Sequence, residues 1–165
     1  MKILHSIIIA AAVLLTATPV PAAMQNGGKA PVNDVWKPAS TPKGGTSWAV
    51  LQATKEKTRK GKDGYIYSKP LFTPAVKSLA GKRIKVAGWM MPLDKGAKQK
   101  NFVLLAYPPG CPFHFHAMPN QFIEVLADIP FTTDERKVHV VSGILELTGQ
   151  DESGIFYRLK AASPA

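Results

Sequence analysis

Cysteine is almost missing from this chain: Cys111 is the only one in 165 residues. A single thiol excludes an intrachain disulfide framework, an all-cysteine zinc cage and a Cys-x-x-Cys exchange site. Long apolar runs are equally scarce. Outside the N-terminus no stretch approaches the roughly 20 apolar residues that cross a bilayer as a helix, which excludes a multi-span membrane protein. Acidic residues are few, 11 against 21 Lys and Arg, for a net charge of +10. No serine-nucleophile motif, phosphate-cradling glycine loop or two-histidine protease helix occurs. What is present is a 45% hydrophobic composition, enough for a packed core.

The N-terminus supplies an address. Lys2 gives a short positive start, Ile7 to Leu15 is apolar, and Val20-Pro21-Ala22-Ala23 offers small residues before a polar stretch. This layout predicts a secretory signal peptide over residues 1–23, cleaved to leave a periplasmic protein that begins near Met24. The apolar core is too short for a membrane span. Export turns the positive charge away from nucleic acid and toward lipid headgroups, cell-wall polymers or an acidic protein. Residues 24–45 hold three Pro and four Gly with little apolar periodicity, and read as a flexible leader. Residues 46–165 read as one β-rich domain.

That domain opens with helix signals. Thr46-Ser47 before Trp48-Ala49-Val50-Leu51-Gln52 resembles a capped helix start. Lys55, Lys57, Arg59, Lys60 and Lys62 then stand against Glu56 alone. This run reads as a basic helix end or loop, either simply solvated or a contact for anionic lipid or a partner protein. Thr73-Pro74 through Gly81 predicts a second short helix, with Thr as cap, Pro preorganised for the first turn and Gly at the exit. Beyond Gly81 the pattern becomes strands: 83–91 with Ile84, Val86 and Met90 on one side, 101–107, 121–127, 137–147 and 155–159. The alternation of the fourth slips near Ser142-Gly143, as at a bulge. The expected fold is mainly β, a small five-stranded, partly open barrel of oligonucleotide-binding (OB) type, preceded by one or two short helices.

Chemistry is concentrated between the second and third barrel strands, in Pro108-Pro109-Gly110-Cys111-Pro112-Phe113-His114-Phe115-His116-Ala117-Met118-Pro119-Asn120-Gln121. In an extended chain His114, His116 and Met118 share one side, and the two His Cα atoms lie roughly 6.6 Å apart. Both imidazoles could then reach one ion, with Cys111 just before them. Cys, His and His suit zinc; thiolate with thioether favours copper. Phe-His-Phe-His is equally the pattern of a strand that packs Phe inward and leaves His in solvent. The Cys111-x2-His114-x3-Met118 spacing resembles the closing ligand loop of cupredoxins, but that family needs an upstream His, and only His5 precedes. His139, on the fourth strand, reads as a surface or barrel-lining residue. Cys111 beside His114 lacks a third orienting group, so no thiol catalysis is expected.

The chain resembles the bacterial periplasmic domain-of-unknown-function family 3299. The resemblance is carried by Trp48 and Leu51, Pro70-Leu71-Phe72, Leu79-Ala80-Gly81-Lys82 through Gly88-Trp89-Met90-Met91-Pro92-Leu93, and Phe102-Val103-Leu104-Leu105. It continues in Cys111 with a nearby His, Pro119-Asn120-Gln121-Phe122-Ile123-Glu124-Val125, and Val140 to Leu145. It implies an exported small β-rich domain with no established enzymatic activity, often associated with ABC-type transporters and in some settings with zinc supply. The family's Pro-rich approach to Asn-Gln is mostly replaced here by Phe115-His116-Ala117-Met118, which adds two donors.

Residues and resemblance together lead to an exported, non-enzymatic accessory protein that handles zinc or copper beside an ABC-type transporter. Cys111, His114, His116 and Met118 are the expected ligands. Asn120 and Gln121 are expected to fix the loop behind them. The competing expectation is a metal-free module that docks through the basic segment on a transporter domain or an anionic membrane surface.

Overall fold

A computed structural model of the chain describes residues 37–110 and 117–165. The described elements are α1 (Trp48–Gln52), β1 (Lys55–Lys60), β2 (Ile66–Leu71), α2 (Pro74–Lys77), β3 (Arg83–Pro92), β4 (Lys98–Leu105), β5 (Phe122–Thr132), β6 (Val138–Leu147) and β7 (Tyr157–Pro164). A 3-10 turn, Pro119–Gln121, leads into β5.

The two helices follow from local chemistry. Ser47 is extended, and its hydroxyl accepts from the Ala49 N–H, while Thr73 accepts from the Val76 N–H with Pro74 in the first turn. These caps satisfy N–H groups that a helix start leaves open. Gly81 takes a φ of +72° beyond the second helix, a conformation other residues adopt at a cost. Both helices are short because their sequences hold only a turn of apolar residues, Trp48 and Leu51 in one and Val76 in the other.

Strands β3, β4, β5, β7 and β6 follow one another around a closed barrel, with β6 returning to β3. All neighbours are antiparallel except β5 and β7, which run parallel. This is the OB-type arrangement expected from the sequence, here fully closed. Alternation explains the interior. Ile84, Val86 and Met90 of β3, Phe102 and Leu104 of β4, Ile123 and Val125 of β5, Val141 and Leu145 of β6, and Tyr157 and Leu159 of β7 form the core. Each fully buried side chain of this kind stabilises the fold by roughly 1.5–3 kcal/mol relative to an exposed one.

Close packing demands glycine at one point. A Cβ on Gly88 would lie 2.5 Å from the Leu105 carbonyl oxygen and 2.8 Å from Leu104 Cγ. Beside it, Trp48 enters the core and its indole Nε1–H donates to the Ala87 carbonyl at 2.6 Å. The slip expected near Ser142-Gly143 is present, but the extra residue belongs to the facing strand. Pairing jumps from Ser142↔Ser163 to Ile144↔Lys160, and Ala161 takes a φ of +47°. The same residue shifts the β5 register, from Val125↔Leu159 to Ala127↔Ala162. One bulge in β7 therefore bends it against both neighbours.

Two features depart from the sequence expectation. The basic run is strand β1, paired in six antiparallel steps with β2 as a separate two-stranded sheet. Within residues read as leader, Ala39 is buried and its N–H donates to the Ala106 carbonyl at 2.8 Å; just past them the Thr46 N–H donates to the Lys85 carbonyl at 2.7 Å. Among the described residues no helix is long and apolar enough to cross a membrane.

Candidate functional site

The connection from β4 to β5 begins and ends in the barrel wall. Leu105 pairs with Phe122, and the Ala106 N–H donates to the Gln121 carbonyl at 2.9 Å. Ala106 is fully buried. The chain thus leaves β4 and enters β5 at hydrogen-bonded neighbours. Cys111, His114 and His116 fall in residues 111–116, outside the described residues. Met118, the remaining expected ligand, is described and half exposed.

The exit foot is built by two carboxamides. Gln121 Oε1 accepts from the Met118 N–H at 3.0 Å, and the Gln121 N–H donates to the Met118 carbonyl at 2.8 Å. Pro119 favours this tight turn because its φ is preset and it needs no N–H partner. Asn120 turns the other way. Its Nδ2 donates to the carbonyls of Gln52 at 3.0 Å and Thr54 at 2.9 Å. A short helix leaves its last carbonyls unmatched, and Asn120 supplies them from the loop. Tyr157 does the same from β7: its hydroxyl donates to the Leu51 carbonyl at 2.7 Å and shares a hydrogen bond with the Thr54 hydroxyl at 2.6 Å. Burial pushes this phenol up to about 12, against the pull of Thr54. At the entry foot, the Tyr107 hydroxyl donates to Gln52 Oε1 at 3.2 Å.

Between α1, β1 and the exit foot lies a shallow depression of about 260 Å³, lined by Gln52, Thr54, Lys55, Glu56, Met118 and Asn120 among others. Gln52, which lines it, has its Nε2 buried without a hydrogen-bond partner among the described residues. A buried amide donor left open costs on the order of 1–3 kcal/mol, and it marks a place where an acceptor would be welcome. Gln52, Tyr107 and Tyr157 were not singled out from sequence. Their roles arise from contacts across 55 to 106 positions, for which a local pattern carries no signal.

The structure thus brings Met118, Asn120 and Lys55 together. The rest of the basic segment leads away along the hairpin. Arg59 donates from Nε to Glu152 at 2.9 Å and stacks over Tyr67, its guanidinium 4.5 Å from the ring centre. That hydrogen bond holds the Glu152 carboxyl below its usual range. Lys57, Lys60 and Lys62 are exposed. His139 is engaged elsewhere, its Nε2 2.7 Å from the Asp134 carbonyl. On β5, β7 and β6 an ion ladder runs from Glu124 to Arg158 at 2.5 Å, to Glu146 at 3.2 Å, and from Glu146 to Lys160 at 2.7 Å. Its carboxylates are spent on one another's cations. Among the described residues no group of three His, Cys, Asp or Glu could hold a metal ion.

Residues 24–163 match the family described as protein of unknown function (DUF3299), and the chain belongs to that family. A solved structure of a DUF3299 family protein from Pseudomonas aeruginosa PAO1 is similar over 56% of this chain and 66% of that one, with 21% identity and a TM-score of 0.44. Among curated proteins nothing matches.

Proposed function

We propose that this chain is an exported, non-enzymatic accessory protein that binds a zinc or copper ion on its β4–β5 loop and works in the periplasm beside an ABC-type transporter. Cys111, His114 and His116 are the ligands, with Met118 completing a copper site. The observation that carries the reading is the pinning of this loop. Four donors lie within eight residues of a segment whose feet are joined by the Ala106–Gln121 hydrogen bond and whose exit is held by Asn120 and Gln121. Part of the closure entropy of a ligand loop is then already met by the fold. The donor set suits a borderline or soft ion, since thiolate and imidazole bind zinc and thioether adds preference for Cu(I).

Competition with a chelating dye at neutral pH tests this. His114→Ala and His116→Ala should each weaken binding strongly. Cys111→Ser should shift preference away from Cu(I), and Met118→Leu should matter for Cu(I) and hardly for zinc. Affinity should fall below about pH 6.5, where free imidazole takes up a proton. A double His114→Ala/His116→Ala variant that binds both ions as tightly as the original would refute the site. A folded protein with no bindable zinc or copper would leave the metal-free docking module as the reading.

A further inference from the structure

We propose that the β1–β2 hairpin is a membrane-docking prong: Tyr65 and Ile66 at its tip enter the interface of an anionic bilayer, and Lys57, Lys60 and Lys62 meet the lipid phosphates. This inference does not depend on the metal site. Its first support is exposure. Tyr65 is 72% and Ile66 75% exposed, the two most exposed large apolar side chains among the described residues. Isolated exposed apolar residues are ordinary, but these two stand together at the end of a two-stranded ribbon. A ribbon tip is convex and narrow. It suits a soft, deformable surface into which an amphipathic Tyr and one aliphatic side chain can sink, and Tyr is favoured at headgroup depth.

The second support is charge. Lys60 pairs directly with Ile66 across the ladder, so a long cationic side chain and the apolar tip share one face. Lys can lay its carbon stem along such a surface while its ammonium reaches the phosphates. Lys57 stands directly opposite Lys69, and like charges facing each other across a sheet oppose folding. Glu152 lies 3.8 Å from Lys69 and is already taken by Arg59, and among the described residues Lys57 has no such partner. This pair lies on the other face of the ribbon, three pairs from the tip, and a ribbon that enters tip-first offers both faces to the headgroups, so that an anion there removes the repulsion. Asp63, the one acidic residue at the turn, is exposed but engaged within the hairpin: it accepts from the Tyr65 N–H at 3.1 Å and from the Tyr67 hydroxyl. The tip therefore offers cations and apolar surface outward and keeps its carboxylate occupied.

The test places an indole at the tip with Tyr65→Trp in the full chain. Vesicles of phosphatidylcholine with phosphatidylglycerol carry acyl chains brominated near the headgroup. Fluorescence quenching beyond that of the unsubstituted chain reports entry of this residue into the interface, whatever else binds. Quenching is expected with phosphatidylglycerol and not with phosphatidylcholine alone. It should fade as salt shortens the screening length from about 10 Å at 0.1 M to about 3 Å at 1 M. Each lysine near an anionic surface changes partitioning roughly fivefold. Adding Lys57→Gln, Lys60→Gln and Lys62→Gln should therefore raise the lipid concentration for half-quenching about a hundredfold, with no loss of thermal stability. The matched control, Lys95→Gln, Lys98→Gln and Lys100→Gln, removes the same charge away from the hairpin and should leave quenching in place. Absence of quenching, equal quenching in the hairpin triple variant, or equal loss in the control each overturns the proposal. So does a hairpin variant that keeps its lipid response and loses a protein partner instead.

Discussion

Tyr157→Phe tests whether α1 is locked to the barrel as the hydrogen bonds indicate. The substitution keeps the ring in the core and removes one oxygen. Thr54, itself buried, then loses its hydroxyl partner, and the Leu51 carbonyl keeps only backbone N–H donors, Thr54 at 3.1 Å among them. Leaving such groups open costs about 1–3 kcal/mol, so stability at neutral pH should fall by about 2 kcal/mol.

The pH dependence is the sharper part. The phenol of Tyr157 is pushed up to about 12 in the folded chain, from its ordinary value near 10. A raised folded value means that the unfolded chain ionises first. The contribution is whole below pH 10 and is lost as pH climbs toward 12. Two pH units at about 1.4 kcal/mol each give ~2.7 kcal/mol, and residual solvent screening brings this nearer to ~2 kcal/mol. The variant has no such group. Urea unfolding of both proteins between pH 7 and about 11.5 should therefore show a gap of about 2 kcal/mol that closes as pH rises above 10. Other tyrosines and lysines titrate in both proteins and cancel in the difference. A gap that stays constant from pH 9 upward would refute the burial of this phenol, and with it the docking of α1 on β7.

Gly88→Ala should lower stability by about 1–3 kcal/mol or more, seen as a drop in melting temperature, because the new methyl meets a carbonyl oxygen of the neighbouring strand rather than a side chain able to turn away. Asn120→Asp should be worse at neutral pH than Asn120→Ala, since a carboxylate would face the Gln52 and Thr54 carbonyls that now accept from the amide. Denaturant unfolding should show that excess shrinking as pH falls toward about 4, because the carbonyls raise the folded carboxyl above the unfolded value near 4 and it takes up its proton first in the folded chain.

Legibility tracked the range of the forces involved. The helix caps at Ser47 and Thr73 were readable because a side chain and the N–H it accepts lie two or three residues apart. The barrel strands were readable because one face of each is apolar, as in Ile84, Val86 and Met90. Strand β1 was not: every odd position from Lys55 to Arg59 is basic, and neither face of the hairpin is covered enough to leave an apolar stripe. Its strand character lies in six backbone pairs and in the reach of Arg59 to Glu152, 93 positions away. The bulge shows a subtler limit. Gly143 broke the pattern of its own strand, yet the residue that carries the positive φ is Ala161, which looks unremarkable in sequence. At the candidate site, Asn120 and Gln121 stood out as amides beside a donor-rich loop. Which carbonyls they would meet was decided by where α1 docks.

That docking couples the loop to the core. The last turn of α1 has carbonyls at Leu51 and Gln52 that no further helical residue can reach, and they are met by Tyr157 from inside the barrel and Asn120 from the loop exit. Thr54 joins the two, its hydroxyl on Tyr157 and its carbonyl on Asn120. Moving the exit of the loop therefore breaks hydrogen bonds that hold the end of α1 in place. An ion held by the loop would bind the folded chain and not the unfolded one, and at a hundredfold excess over its dissociation constant would add about 2.7 kcal/mol. Because the exit foot is part of the core's own hydrogen bonding, that gain would stabilise the whole barrel rather than the loop alone.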